Sequence, residues 1–81
     1  MDDANEKTAG HYLLDLGTLL KEQAAAARRN SKTDGPTDSF ALGRLTAYHE
    51  VISLMQQQAL AFGLPLESLS LHDIDPDRDL V

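Results

Sequence analysis

The sequence predicts an all-α fold: an antiparallel helical hairpin with a short C-terminal helical turn, paired with a second copy into a homodimeric four-helix bundle. Three observations lead there. Two long stretches place apolar side chains at helical spacing, a run of turn formers separates them, and the apolar arcs are wider than one hairpin can cover.

The first helix is expected over residues 9–29, after a polar, acidic start in which Asp2, Asn5 and Thr8 are each candidate N-caps. At about 100° per residue, Ala9, Tyr12, Leu13, Leu16, Leu19, Leu20, Ala24, Ala26 and Ala27 share one half of the wheel. His11, Asp15, Thr18, Glu22 and Arg29 share the other, with Leu14 and Ala25 off-face. The run from Ala24 to Ala27 combines high helix propensity with small side chains, so a neighbouring helix can approach closely.

Residues 30–37, Asn-Ser-Lys-Thr-Asp-Gly-Pro-Thr, form the expected connection, because Gly35-Pro36 cannot continue a helix. Thr37 or Asp38 is the expected cap of a second helix over residues 38–62. There Ala41, Leu45, Tyr48, Ile52, Met55, Ala59 and Phe62 alternate four and three apart as an unbroken heptad-type seam. A second stripe of Phe40, Ala47, Val51, Leu54 and Ala61 runs beside it, interrupted by Arg44 and Gln58. Together the stripes span roughly 200° of the wheel, about twice what a surface helix needs.

Gly63 stands where a left-handed C-cap glycine belongs, and Pro65 forbids continuation. A short turn is expected over residues 65–69, with Leu64, Leu66, Leu69, Leu71 and Ile74 folding back over an open bundle end. Residues 72–81 are acidic and expected to be an extended appendage, with Pro76 blocking regular helix and Leu80 and Val81 at a fraying end.

The totals bound the function. An 81-residue chain is one small domain, and without cysteine it has neither disulfides nor the commonest zinc ligands, so packing against a partner chain is the remaining staple. With 42% apolar and 25% charged residues, wholesale disorder is excluded. The net charge of −6 argues against direct nucleic-acid binding, and Arg28, Arg29 and Lys32 read as complements of a helix C-terminal dipole. No apolar run spans a membrane, and the acidic N-terminus does not resemble a secretory signal, so a cytoplasmic location is expected.

No motif for chemistry is complete. Asp73, Asp75, Asp77 and Asp79 alternate as at the start of a calcium loop, but Arg78 stands where that loop needs glycine and the twelfth-position glutamate is missing. His49-Glu50 opens like a zinc-protease motif, yet position 53 is Ser53 rather than histidine. His11 and Asp15 lie one turn apart, but on the wheel His11, His49 and Glu50 all face away from the apolar arcs and toward solvent. No nucleophile elbow or phosphate loop is present, and Tyr12 and Tyr48 fall on core seams. No catalytic residue, cofactor or metal is therefore expected.

The functional expectation is a non-catalytic protein–protein interaction or assembly module that self-associates, with another protein as a further possible partner. Its core or dimer seam comprises Leu13, Leu16, Leu20, Leu45, Tyr48, Val51, Ile52, Leu54, Met55 and Phe62. Arg44 and Gln58 are candidate polar register-setters, Arg44 pairing with Asp15 or Glu22. The alternative is an acidic antagonist that covers a basic surface of a partner, using Asp73, Asp75, Asp77 and Asp79 as a partner-binding tail.

Overall fold

The computed structural model describes residues 3–33 and 39–81. Four helical segments follow in order: α1 (Asp3–Thr33), α2 (Ser39–Ala61), a 3-10 turn (Leu66–Leu69) and α3 (Pro76–Asp79). The described residues contain no strand, and none of their helices is long and apolar enough to cross a membrane. The two long helices pack side by side as an antiparallel hairpin: Leu13 shares a surface hollow with Met55 and Phe62, Leu20 one with Tyr48 and Val51, and Gln23 meets Arg44.

α1 extends beyond both ends of the expected 9–29 span. Ala4, Glu6 and Lys7 are good helix formers, and acidic side chains near a helix start favour its dipole. Asn5 and Thr8 are therefore interior rather than caps, and the Thr8 hydroxyl donates to the Ala4 carbonyl (2.8 Å). At the other end Asn30, Ser31 and Lys32 stay helical, with Ser31 buried and its hydroxyl donating to the Arg28 carbonyl (2.8 Å). A turn-former penalty of well under about 1 kcal/mol per residue is too small to end a helix that is otherwise packed. Residues 34–38, which hold Gly35-Pro36 and the expected caps Thr37 and Asp38, lie outside the described residues.

α2 ends through a Schellman motif. Gly63 has φ 70°, the Leu64 N–H donates to the Ala59 carbonyl (2.8 Å), and the Gly63 N–H to that of Leu60 (3.1 Å). Pro65 then starts the 3-10 turn, and Ser70, at φ 58°, ends it in the left-handed conformation.

The core joins Ala24, Leu45, Ile52 and Ala59 of the hairpin to Leu69, Leu71 and Leu80 of the C-terminal segment. Leu13, Tyr48, Met55, Leu66 and Ile74 pack half-buried around them. Residues 64–81 thus run along a flank of the hairpin rather than over its end.

The expectation of an extended, free tail over 72–81 is corrected accordingly. Pro76 occupies the first position of α3, where a missing N–H costs nothing. The Asp75 side chain accepts from the Asp77 N–H (3.1 Å) while Asp79 Oδ2 accepts from the Asp75 N–H (2.9 Å), a reciprocal cap. Leu80, expected to fray, is only 3% exposed.

Candidate functional site

The two flanks of the hairpin differ. One is covered in part by the C-terminal segment. Thr18 donates to the Ser70 hydroxyl (3.0 Å), Lys21 Nζ reaches Asp73 Oδ1 (2.7 Å), and His49 Nε2 lies 2.9 Å from Asp77 Oδ1. Gln56 Nε2 donates to two backbone carbonyls, those of Leu71 (3.1 Å) and Ile74 (2.8 Å). His49 is half-buried on this flank rather than facing solvent, because the segment folds across it.

The other flank is open and apolar. From α2 and the turn that follows it presents Phe40, Ala47, Val51, Leu54 and Phe62, all exposed, Phe40 and Phe62 at 81% and 78%. From α1 it presents Tyr12 and Leu19, at 67% and 48%. The Arg44 Nη2 to Gln23 Oε1 contact (3.4 Å) fixes that these two edges adjoin, since Gln23 lies on the wheel between Tyr12 and Leu16. Between them the interhelical groove dips into two apolar hollows, one of about 270 Å3 beside Leu20, Tyr48 and Val51, the other of about 210 Å3 beside Leu13, Met55 and Phe62.

The expected seam therefore divides in three. Leu45 and Ile52 are buried within the hairpin; Leu13, Leu16, Leu20, Tyr48 and Met55 are half-buried; Val51, Leu54 and Phe62 are exposed on the open flank. Tyr12, expected on a core seam, and Leu19, expected on the apolar half of the wheel, are both exposed, because the register of α1 is set by Gly17, Ala24 and Ala27, whose burial turns those two outward.

Both interrupting polar residues lie at this flank. The Arg44 guanidinium sits 5.7 Å from the centroid of the Tyr48 ring, a cation–π distance, and its hydrogen-bond partner is Gln23 rather than Asp15 or Glu22. Gln58 is exposed at the rim of the second hollow.

The four aspartates are all engaged within the chain. Lys21 holds the Asp73 carboxyl below its ordinary value, chiefly through their hydrogen bond. Asp79 is held down at about 2 by its two-pronged pairing with Arg78, helped by the Asp75 N–H, and in turn pushes Arg78 up. Asp75 caps α3, and Asp77 meets His49.

Gly17 and Gln56 matter more than their residue types announce. A Cβ at Gly17 would collide with the Leu69 carbonyl, so the 3-10 turn can reach α1 only because position 17 lacks a side chain. A glycine amid good helix formers is the signal that marks it. For Gln56 the signal is its place one turn after Ile52, an amide set beside the most buried part of the seam. No protein-family model matches this chain, and no curated protein or solved structure matches it.

Proposed function

We propose that this protein is a non-catalytic assembly module that pairs with a second copy of itself through the open flank of the hairpin. The observation that carries this reading is the exposed apolar band of Phe40, Val51, Leu54 and Phe62 with Tyr12 and Leu19 beside it. Side chains of this size at these exposures present on the order of 700 Å2. That exceeds the roughly 300–600 Å2 of the largest patch on a typical monomer. It approaches the roughly 800 Å2 per partner of a standard interface.

An isologous pairing of two such flanks makes a four-helix bundle, with each C-terminal segment on the outside. Arg44 and Gln58 then sit within the seam, where polar groups favour one register over its neighbours. Binding as an acidic antagonist has less support, because Asp73, Asp75, Asp77 and Asp79 are spent on internal hydrogen bonds and ion pairs.

Light scattering coupled to size exclusion tests the proposal. The expected mass is about 18 kDa, twice the 8.9 kDa chain, at micromolar concentration. Leu54→Lys, on the open flank and away from the buried core, is expected to halve that mass while preserving helicity by circular dichroism. A wild-type chain that stays at 8.9 kDa and melts cooperatively overturns the proposal.

A further inference from the structure

Across α1 from the open flank lies a basic cleft. Lys21, Arg28 and Lys32 follow one another at seven and four residues, which places them on one face of α1, with Arg29 beside them. The C-terminal segment supplies the opposite wall, and the space between is about 400 Å3, within the range of small-molecule sites. Four of the chain's seven lysines and arginines face this single cleft on a protein whose net charge is −6.

Complementing the helix dipole does not account for the cluster. That effect is confined to the last turn, whereas Lys21 lies three turns before the end of α1 at Thr33. The two acids at the rim offset only part of it, Asp73 at Lys21 and Asp79 partly at Arg28, and four cations still face two carboxylates. Asp73 pairs with Lys21, and the Asp79 oxygens are taken by Arg78 and the Asp75 N–H.

Arg28 Nε is buried without a hydrogen-bond partner. Arg28 as a whole is half-buried and lines the cleft, so the accessible part of its side chain, not the buried Nε, is what a ligand can meet. Lys32, one turn further on, is exposed and reaches the same face. Ala25, Ile74 and Leu80 give the cleft an apolar side.

We propose that this cleft binds a small organic anion, its phosphate or carboxylate head clasped by Arg28 and Lys32 and a short alkyl body lying against Ala25, Ile74 and Leu80. A guanidinium offers paired N–H donors to either head, and an ammonium one turn away adds a second charge. The site is independent of self-association, since it lies between α1 and the C-terminal segment, away from the open flank.

The test is a nitrogen-15 NMR titration of the full chain at fixed ionic strength with hexyl phosphate, hexanoate and inorganic phosphate. Hexyl phosphate or hexanoate is expected to saturate, with shifts concentrated at Ala25, Arg28, Lys32, Ile74 and Leu80. Inorganic phosphate should bind at least about tenfold more weakly than hexyl phosphate, because each buried methylene adds roughly fourfold. Arg28→Gln and Lys32→Gln should each weaken binding about tenfold, and Lys7→Gln, on the exposed start of α1, should leave it unchanged. Lys32 is a surface residue, so its variant keeps the test sound even where Arg28→Gln perturbs folding. Non-saturating shifts, inorganic phosphate binding as tightly as hexyl phosphate, or a Lys32→Gln protein that binds like wild type would each overturn the proposal.

Discussion

At Gly17 a single missing side chain decides how closely the C-terminal segment can approach α1. Alanine has the higher helix propensity, so at a site with room Gly→Ala should stabilise by up to about 1 kcal/mol. Gly10 and Gly43 are such sites, with open space where a Cβ would sit, whereas at Gly17 that carbon would meet the Leu69 carbonyl. Gly17→Ala is therefore expected to destabilise by about 1–3 kcal/mol, and Gly43→Ala to stabilise, in paired denaturant melts. Opposite signs for these chemically identical changes are the diagnostic result. Ile52 is the complementary case. It is fully buried at the centre of α2, so Ile52→Asp should cost several kcal/mol, while Glu50→Lys on the exposed side should shift the melting midpoint little. Ile52, Leu45 and Ala24 are buried and lie on the apolar faces that the periodicity marks, because burial by a neighbouring helix repeats every turn. Gly17 and Gln56 escape that reasoning, since their partners are backbone carbonyls at Leu69, Leu71 and Ile74 and leave no periodic trace.

The C-terminal segment is the element whose behaviour sequence patterning misjudges. Its aspartates read as a mutually repelling, solvated run, but each has a partner, and the partners Lys21 and His49 lie on different helices. Sequence-local reasoning counts the charges within 72–81 and cannot see the cation 52 positions upstream. Deleting residues 75–81 removes buried Pro76 and Leu80 and the His49–Asp77 contact. The truncation is expected to lower stability by about 2–4 kcal/mol in a denaturant melt, and a loss under about 0.5 kcal/mol would return the segment to the status of a free tail. Acid provides a second readout. In the folded state Asp73 and Asp79 titrate below the ordinary aspartate value of 3.8, so their stabilising contribution is complete above that pH. It is lost as pH falls toward about 2, the value of Asp79. Asp79→Asn should make this acid limb of the stability profile shallower, because only Asp73 of the two groups is left to titrate.

The molecule as a whole is a rod, 50 × 20 × 17 Å, with a Cα radius of gyration of 14.5 Å. A compact chain of this length would have about 12 Å. The excess comes from α1, whose 31 residues span roughly 46 Å and overshoot the 23 residues of α2. From Asn5 to Tyr12 every residue of α1 is exposed, so those turns bury little against the other described residues. In native-state hydrogen exchange, amides between Glu6 and Gly10 are expected to exchange much faster than those between Ala24 and Ala27. Helix pairing and the antiparallel hairpin are legible in the sequence because both are written in local pattern. The division into a partly covered and an open flank is not, because it depends on where the last eighteen residues lie. That arrangement also sets an order of events in time. Gln23 and Arg44 meet across 21 positions, whereas Thr18 and Ser70 meet across 52, so closing the second loop from an open chain costs more entropy. Once the hairpin exists, only the short link after Ala61 separates the segment from its flank. We expect the hairpin to be the nucleus and docking to follow the rate-limiting barrier. Lys21→Met, which removes the Asp73 partner, should then quicken unfolding while leaving the refolding rate nearly unchanged in stopped-flow chevrons. The ion pairs of the C-terminal segment would act as a latch on the lifetime of the folded state rather than as a guide toward it.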